Sequence, residues 1–479
     1  MPGTPAPDAR PVVVDPLVCG RPVTSADRVR LPDVRGGDLA DVGAAPRLMA
    51  LSALRELRRH ADGVPPGQEL FDEAATLFEE AELDGETPEE YAARVSYATG
   101  LTAAAVAQSV RDLVDELREL SRTTAAELPA TGFAADPAAG PGTGSGSGSA
   151  IGFATRWVPR GRVFAAVMAS NHPTPHVTWA QALFHGYSVA VKPGSRDPFT
   201  ALRLTRALLA AGLPPRKLAF LPASHRTGEF LLREADRGIV YGGDSAVRRW
   251  QGDETVAVRG PGRTKALLDR DADEAITAHL ALSASYDGGT RCTNLSAVLT
   301  TRPVAEVADA LARRLATLPS VPVTTATATL LVADRERAAR IRAQVDELRA
   351  APGVTDHSAR HDPAAGETVV ELADGSHLLR PLVLSVEGVH HPAVGTELPF
   401  PFVVVAPWTP ADGVAPLRES LVLNLLTDDE ELVDAAVREP SVRKITRGAV
   451  LPWTAVPGIP HDDNYTQFLL EPKGVVATV

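Results

Sequence analysis

Cysteine is nearly absent. The 479-residue chain carries two, Cys19 and Cys292. That count excludes a disulfide scaffold and any multi-cysteine zinc or iron–sulfur site. Lysine is scarce too: five residues (192, 217, 265, 444, 473) stand against 43 arginines, a lopsidedness that reads first as a coding bias. Positive charge is short overall, with 48 basic and 60 acidic residues and a net charge of −12. An acidic chain argues against non-specific binding to nucleic acid or anionic membranes. No apolar run approaches the roughly 18 residues of a spanning helix. The first residues, MPGTPAPDARPVVVD, lack a basic stretch followed by an apolar one, so no signal peptide is expected. A soluble, reduced, cytoplasmic protein follows as the expectation. No Gly-Lys pair occurs, which removes a Walker-type phosphate loop.

The length suits two or three domains. Residues 1–135 read as an N-terminal helical part, loosely ordered over the first forty. Leu48, Leu51, Leu54 and Leu57 recur at helical spacing, and Thr87-Pro88-Glu89-Glu90 is a capping box with proline at the first helical position. Residues 136–152 alternate Gly and Ser and predict a mobile loop that cannot pack a core. From 153 to 262 short apolar runs alternate with helical stretches, the pattern of a parallel sheet with crossover helices. A second α/β block spans 263–445. The remainder, 446–479, is a proline-containing tail ending in a strand-like Gly474–Val479.

Ligands on parallel sheets sit at the carboxyl ends of strands, which directs attention to the residues just beyond each run. Asn171 follows the first strand and is either turn chemistry or an amide donor to an oxyanion. Its neighbour His172 is a candidate proton shuttle, or a packed strand-end histidine. Lys192 closes the second strand and is placed to reach a ribose or phosphate oxygen. Gly242 and Gly243 open a helix and leave backbone N–H groups free for a pyrophosphate. Cys292 ends a Gly-containing turn, and the adjacent Arg291 is positioned to favour a thiolate. His461-Asp462-Asp463 superficially suggests a metal cluster, but no ligand spacing supports one. That segment reads as a solvated turn, and no metal is expected.

In this order and spacing the pieces resemble the aldehyde dehydrogenase superfamily. VPRGRVFAAVMASNHP is similar to the family's strand leading to its oxyanion asparagine, here Asn171. VAVKPGSRDP resembles the ribose-binding strand with Lys192, and VYGGDSAV the pyrophosphate turn with Gly242 and Gly243. DGGTRCTNLSAVL is similar to the nucleophile loop, which makes Cys292 the catalytic thiol. ELPFPF resembles the cofactor segment whose glutamate, here Glu397, meets the nicotinamide ribose. The resemblance implies a Rossmann-like cofactor-binding domain plus a second α/β catalytic domain, with N-terminal helices. It also implies a nicotinamide cofactor and a homodimer or tetramer built partly through the C-terminal strand.

Two departures refine the expectation. Most aldehyde-oxidising members carry a water-activating glutamate at the start of the segment VAVRGPGRTKALLDRDAD; here Arg259 stands there, or Val258 if the alignment shifts by one, and neither accepts a proton from water. Gly260-Pro261-Gly262 resembles instead the turn of CoA-acylating aldehyde dehydrogenases and acyl-thioester reductases. A thiolate attacks a thioester without a hydrolytic base. The expected reaction is therefore NAD(P)-linked interconversion of an aldehyde and an acyl thioester, borne by CoA or an acyl carrier protein. The alternatives are an acid-releasing dehydrogenase using Glu254, Asp287 or His172 as base, and a non-catalytic interaction subunit. Second, Ser195-Arg196 stands where NAD-preferring members often carry an acid, which favours NADP over NAD. Trp179, Tyr286, Trp453 and Tyr465 are the expected acyl-lining residues.

Overall fold

The computed structural model describes residues 11–128, 151–361 and 367–478. Most of the Gly/Ser run lies outside them; its last two residues open the strand Ile151–Pro159. Two seven-stranded sheets dominate. In the first, Val256–Arg259, Arg237–Tyr241, Val163–Val167, Ser188–Lys192 and Leu218–Phe220 lie side by side and parallel. Helices cover both faces, so Val163–Val167 and Ser188–Lys192 are buried at every position and read as continuous runs rather than alternation. The central strand has its neighbours running outward on either side. That arrangement places Asn171, Lys192 and Gly242 at one edge, as doubly wound sheets do.

The second sheet orders Val354–Asp356, Leu382–Val386, Phe402–Pro407, Leu295–Thr300, Thr264–Leu268, Ser420–Leu426 and Val442–Arg447. All its pairs are parallel except the one at the Val354–Asp356 edge. The chain thus builds two α/β units joined by the 259–264 segment.

The N-terminal helices bridge the two units. Pro88–Thr99 starts with the expected capping box, Thr87 Oγ1 accepting from Glu90 N–H and Glu90 Oε2 from Thr87 N–H. It stops at Gly100, with φ of 83°. A Cβ at Gly100 would fall 1.8 Å from the carbonyl oxygen of Val332, so only glycine lets this helix end meet the second unit. The first helix, Arg47–His60, buries Leu54 and Leu57 as expected, whereas Leu48 is 77% exposed and Ala50 and Ala53 complete the buried face.

The front of the chain corrects the expectation of loose order. From Val12 onward it is pleated. Leu17–Val18 and Arg21–Pro22 form a hairpin that extends the first sheet antiparallel to Leu218–Phe220, and Val12–Val14 pairs with Asp38–Gly43. These strands are two to six residues long. They exist because edges already present accept their backbone hydrogen bonds, which local composition does not encode. Cys19 sits in the hairpin turn at φ of 51° and packs against the adjoining core. The tail strand Leu470–Thr478 pairs antiparallel with Ile151–Pro159 as a separate two-stranded ribbon, exposing Val475 and Val476. No helix among the described residues is long and apolar enough to cross a membrane.

Candidate active site

The loop before Cys292 is fixed by its own backbone chemistry. Asp287, Gly288 and Gly289 occupy successive left-handed conformations, with φ of 49°, 70° and 75°. Glycine adopts this region freely and aspartate tolerates it better than most residues. A Cβ on Gly289 would meet Pro401 N at 2.4 Å, and one on Gly262 would meet the Cys292 carbonyl oxygen at 1.6 Å. The linking segment therefore passes directly against the nucleophile's backbone, and Thr264 Oγ1 donates to the same carbonyl at 3.2 Å.

Arg291 does not play the expected part. Its Nε donates to Asp287 Oδ2 at 2.6 Å and its Nη2 to Asp112 Oδ2 at 2.5 Å, while its backbone N–H meets Asn294 Oδ1. Two carboxylates offset the guanidinium. Loss of solvent around the partly exposed Cys292 sulfur, reinforced by Asp462 and Glu397, outweighs Arg291 and pushes the thiol up to about 12. The resting side chain is a thiol, and attack requires a group that takes its proton.

Asn171 faces the same loop. Its Nδ2 donates to Thr290 O at a long 3.4 Å, and its buried Oδ1 has no partner among the described residues. His172 is buried beside it with Nδ1 unpartnered. Burial, Arg291 and His176 hold its imidazole well below the ordinary range, which makes it a poor proton shuttle. The other bases considered fare no better: Asp287 is tied to Arg291, and Glu254 is exposed and does not line the cavity.

The cofactor candidates gather at the carboxyl edge of the first sheet. Lys192 is 2% exposed, and burial alone brings its ammonium down to about 8. Gly194 passes so close to Ser170 that a Cβ would fall 2.1 Å from Ser170 Oγ, which accepts from the N–H of Arg196 and Asp197. Ser195 is exposed. The Arg196 guanidinium is engaged: its Nη2 lies 2.5 Å from Asp334 Oδ2 at the cap of the helix Arg335–Ala350. Gly242 and Gly243 precede the helix Asp244–Trp250, with open space where a Cβ of Gly243 would stand; the Gly242 N–H is not free as expected, because the parallel pairing with the neighbouring strand commits it to Arg259 O at 3.0 Å. Glu397 accepts from Arg263 N–H at 2.9 Å, and burial raises its carboxyl.

One cavity of about 1630 Å³ has Asn171, Gly242, Gly243, Cys292 and Glu397 in its wall, whereas Lys192, Ser195 and Arg196 lie outside that lining. Arg259 lines it as well, 8% exposed. Its Nη1 and Nη2 donate to the two oxygens of Asp463 at 3.1 and 2.7 Å, and its Nε lies 3.3 Å from Asp462 Oδ2. His461, Asp462 and Asp463 are therefore part of the cavity wall rather than a solvated turn. The reason is a pairing with a residue 204 positions away, which no local pattern announces. Among the expected acyl-lining aromatics, Trp453 and Tyr465 do line the cavity. Tyr286 stacks on Trp453 at 4.0 Å from behind. Trp179 is fully buried, its Nε1–H bonded to His176 Nδ1, and belongs to the core.

The comparisons agree with this geometry. The profile of the aldehyde dehydrogenase family matches residues 69–410. A curated relative, malonate-semialdehyde dehydrogenase 3 of Geobacillus kaustophilus (strain HTA426), is 28% identical over 164 residues, a match spanning 32% of this chain and 33% of that enzyme. Among solved structures, an indole-3-acetaldehyde dehydrogenase in complex with NAD+ superposes with a TM-score of 0.80 at 16% identity, covering 97% of both chains. An aldehyde dehydrogenase from Bacillus cereus with NAD+ gives 0.78 at 16%, covering 97% and 96%. The gamma-glutamyl-gamma-aminobutyraldehyde dehydrogenase of Burkholderia cenocepacia J2315 gives 0.78 at 16%, covering 98% and 97%. With two α/β units flanking a cavity that holds a loop cysteine, and a family profile matching most of its length, the chain belongs to the aldehyde dehydrogenase family.

Proposed function

We propose that this enzyme interconverts an aldehyde and an acyl thioester through a thioacyl group on Cys292, with a thiol rather than water as acyl acceptor. The observation that carries this reading is Arg259. A buried guanidinium, held by two carboxylates, occupies the place where water-activating members keep a glutamate. It cannot accept a proton from water. A thiol ionises far more readily than water and attacks a thioester with little help.

Cys292 attacks the carbonyl carbon, and Asn171 Nδ2–H with the Cys292 backbone N–H stabilises the oxyanion. The residues present fit a nicotinamide nucleotide: the open space at Gly243 and the anchored Glu397 face the same cavity as Cys292, and Lys192 is buried at the end of the neighbouring strand. Gly243, Lys192 and Ser195 would hold its pyrophosphate and adenosine ribose, and Glu397 its nicotinamide ribose. When bound, it supplies the hydride acceptor or donor. The acyl group leaves Cys292 to CoA or to an acyl-carrier-protein thiol. Trp453 and the exposed Val456 and Ile459 at the cavity mouth favour an apolar acyl chain. The exposed valines of the tail ribbon support pairing with a second copy, as a dimer or tetramer.

The test supplies aldehyde and oxidised nucleotide with and without CoA. Steady turnover is expected only with the thiol; equal turnover in its absence, with free acid as product, would establish the hydrolytic alternative.

Coenzyme choice depends on Arg196. Its pairing with Asp334 withholds it from a 2′-phosphate. Asp334→Asn keeps a competent helix cap, because Asn caps as well as Asp, and frees the guanidinium. The expected result is about a tenfold gain in kcat/KM for NADP+ with NAD+ little changed, given the ~1.5 kcal/mol of a hydrogen bond to a charged group. An unchanged ratio would show that Arg196 does not reach the coenzyme.

A further inference from the structure

The thiol of Cys292 rests protonated in a cavity whose family base is replaced by arginine. Its proton needs an acceptor, and of the carboxylates in the cavity wall Asp462 and Glu397 are the two whose charge acts on the thiol. His172 stays neutral under burial and nearby positive charge. His461 is likewise held below its ordinary range by burial. Glu397 has one oxygen committed to the Arg263 N–H and faces the nucleotide side. Asp463 spends both oxygens on Arg259.

Asp462 differs. Only its Oδ2 touches Arg259, at 3.3 Å, and Oδ1 has no hydrogen-bond partner among the described residues. Its side chain is 22% exposed, and it lines the cavity together with Cys292. Its charge acts directly on the thiol and on the neighbouring Tyr241 hydroxyl. Arg259 from the linking segment contacts it, and Tyr241 from the first sheet, Cys292 from the nucleophile loop, Lys444 from the second sheet and its neighbours His461 and Asp463 line the same cavity.

We propose that Asp462, oriented by Arg259, is the proton acceptor for Cys292, so that the C-terminal segment supplies the carboxylate missing from the linking segment. The inference rests on Cys292 as nucleophile and holds for either acyl acceptor. As the S–C bond forms, the S–H bond breaks and the carbonyl π pair moves onto oxygen; the proton passes to Asp462 Oδ1, directly or through one water, and leaves by the cavity mouth. Arg259 is a positioning residue.

The experiment compares the wild-type enzyme with Asp462→Asn and Asp462→Glu. The first measurement is the single-turnover burst of reduced nucleotide with aldehyde, across pH. The second is iodoacetamide labelling of Cys292 without substrate, followed by peptide mass so that Cys19 is counted separately. Removing a positioned general base lowers the Asn burst by about 10²–10⁴-fold. The remaining burst climbs about tenfold per pH unit, because it draws on preformed thiolate. Labelling of the same variant holds or rises, since a negative charge beside the sulfur is gone. The Glu variant recovers most of the burst. An Asn variant with a wild-type burst and pH profile overturns the role of Asp462. Misfolding would depress labelling and burst together, and in that event a Glu variant that folds but shows no recovery overturns the role. A wild-type enzyme whose Cys292 is not protected from labelling by aldehyde overturns the nucleophile assignment instead.

Discussion

Replacing Cys292 with alanine is expected to abolish hydride transfer in both directions, by on the order of 10⁴-fold or more, because the covalent route then has no atom to form on. Nucleotide binding should survive. The side chain contributes little to the packing of the loop, which is held by Arg291 through Asp287 and Asp112 and by Asn294 through the carbonyls of Ser283 and Tyr286. Equilibrium titration with NAD+ and NADP+ checks the binding, and single-turnover absorbance checks the chemistry. A variant that still oxidises an aldehyde or reduces a thioester would remove Cys292 from the mechanism. A variant that has also lost nucleotide binding would point to collapse of the loop.

The second large effect belongs to Asn171. Its Nδ2 rests on a 3.4 Å bond to Thr290 O, long enough to be exchanged for a developing oxyanion at little cost. A donor that strengthens its bond only in the transition state raises kcat without tightening substrate binding. Asn171→Ala should therefore lower kcat by about 10²–10³-fold with the aldehyde KM nearly unchanged, in line with the loss of one oxyanion donor. A rise in KM at constant kcat would instead make Asn171 a substrate-binding group. Thermal unfolding separates either result from instability, since Asn171 is only partly buried and its Oδ1 is unpartnered.

Much of this site was legible along the chain because several of its parts are local. Asp287-Gly288-Gly289 announces a left-handed turn, and the cysteine three residues on sits where that turn delivers it. Lys192 and Asn171 follow apolar runs whose every position is buried, the signature of central parallel strands. The scarcity of lysine made Lys192 conspicuous, and the structure buries it at its strand end, 2% exposed.

What stayed hidden depends on pairing across distance. Arg259 could be recognised as a departure, but its partners lie in a proline-rich tail whose composition suggests a turn. Arg291 was visible beside Cys292, while Asp112, on the helix Ala103–Arg118, was not visible beside Arg291. That one contact turns an apparent thiolate-stabilising cation into a structural clamp. The short N-terminal strands escaped for the same reason: two residues carry no periodicity, and they are strands only because the edge at Leu218–Phe220 receives them. Trp179 shows the converse error, an aromatic near the site that the helix Val177–Phe184 turns inward to the core.

The proposed reaction runs through a thioacyl group on Cys292 that a thiol, not water, removes. It is tested most directly by quenching the enzyme in acid after mixing with aldehyde and NAD(P)+, with no thiol present, and mapping peptide masses. The acyl mass is expected on the peptide containing Cys292, to persist over many turnover times, and to disappear when CoA is added, with acyl-CoA as product. Absence of the adduct from Cys292, or its loss to free acid at the same rate without CoA, would contradict the account.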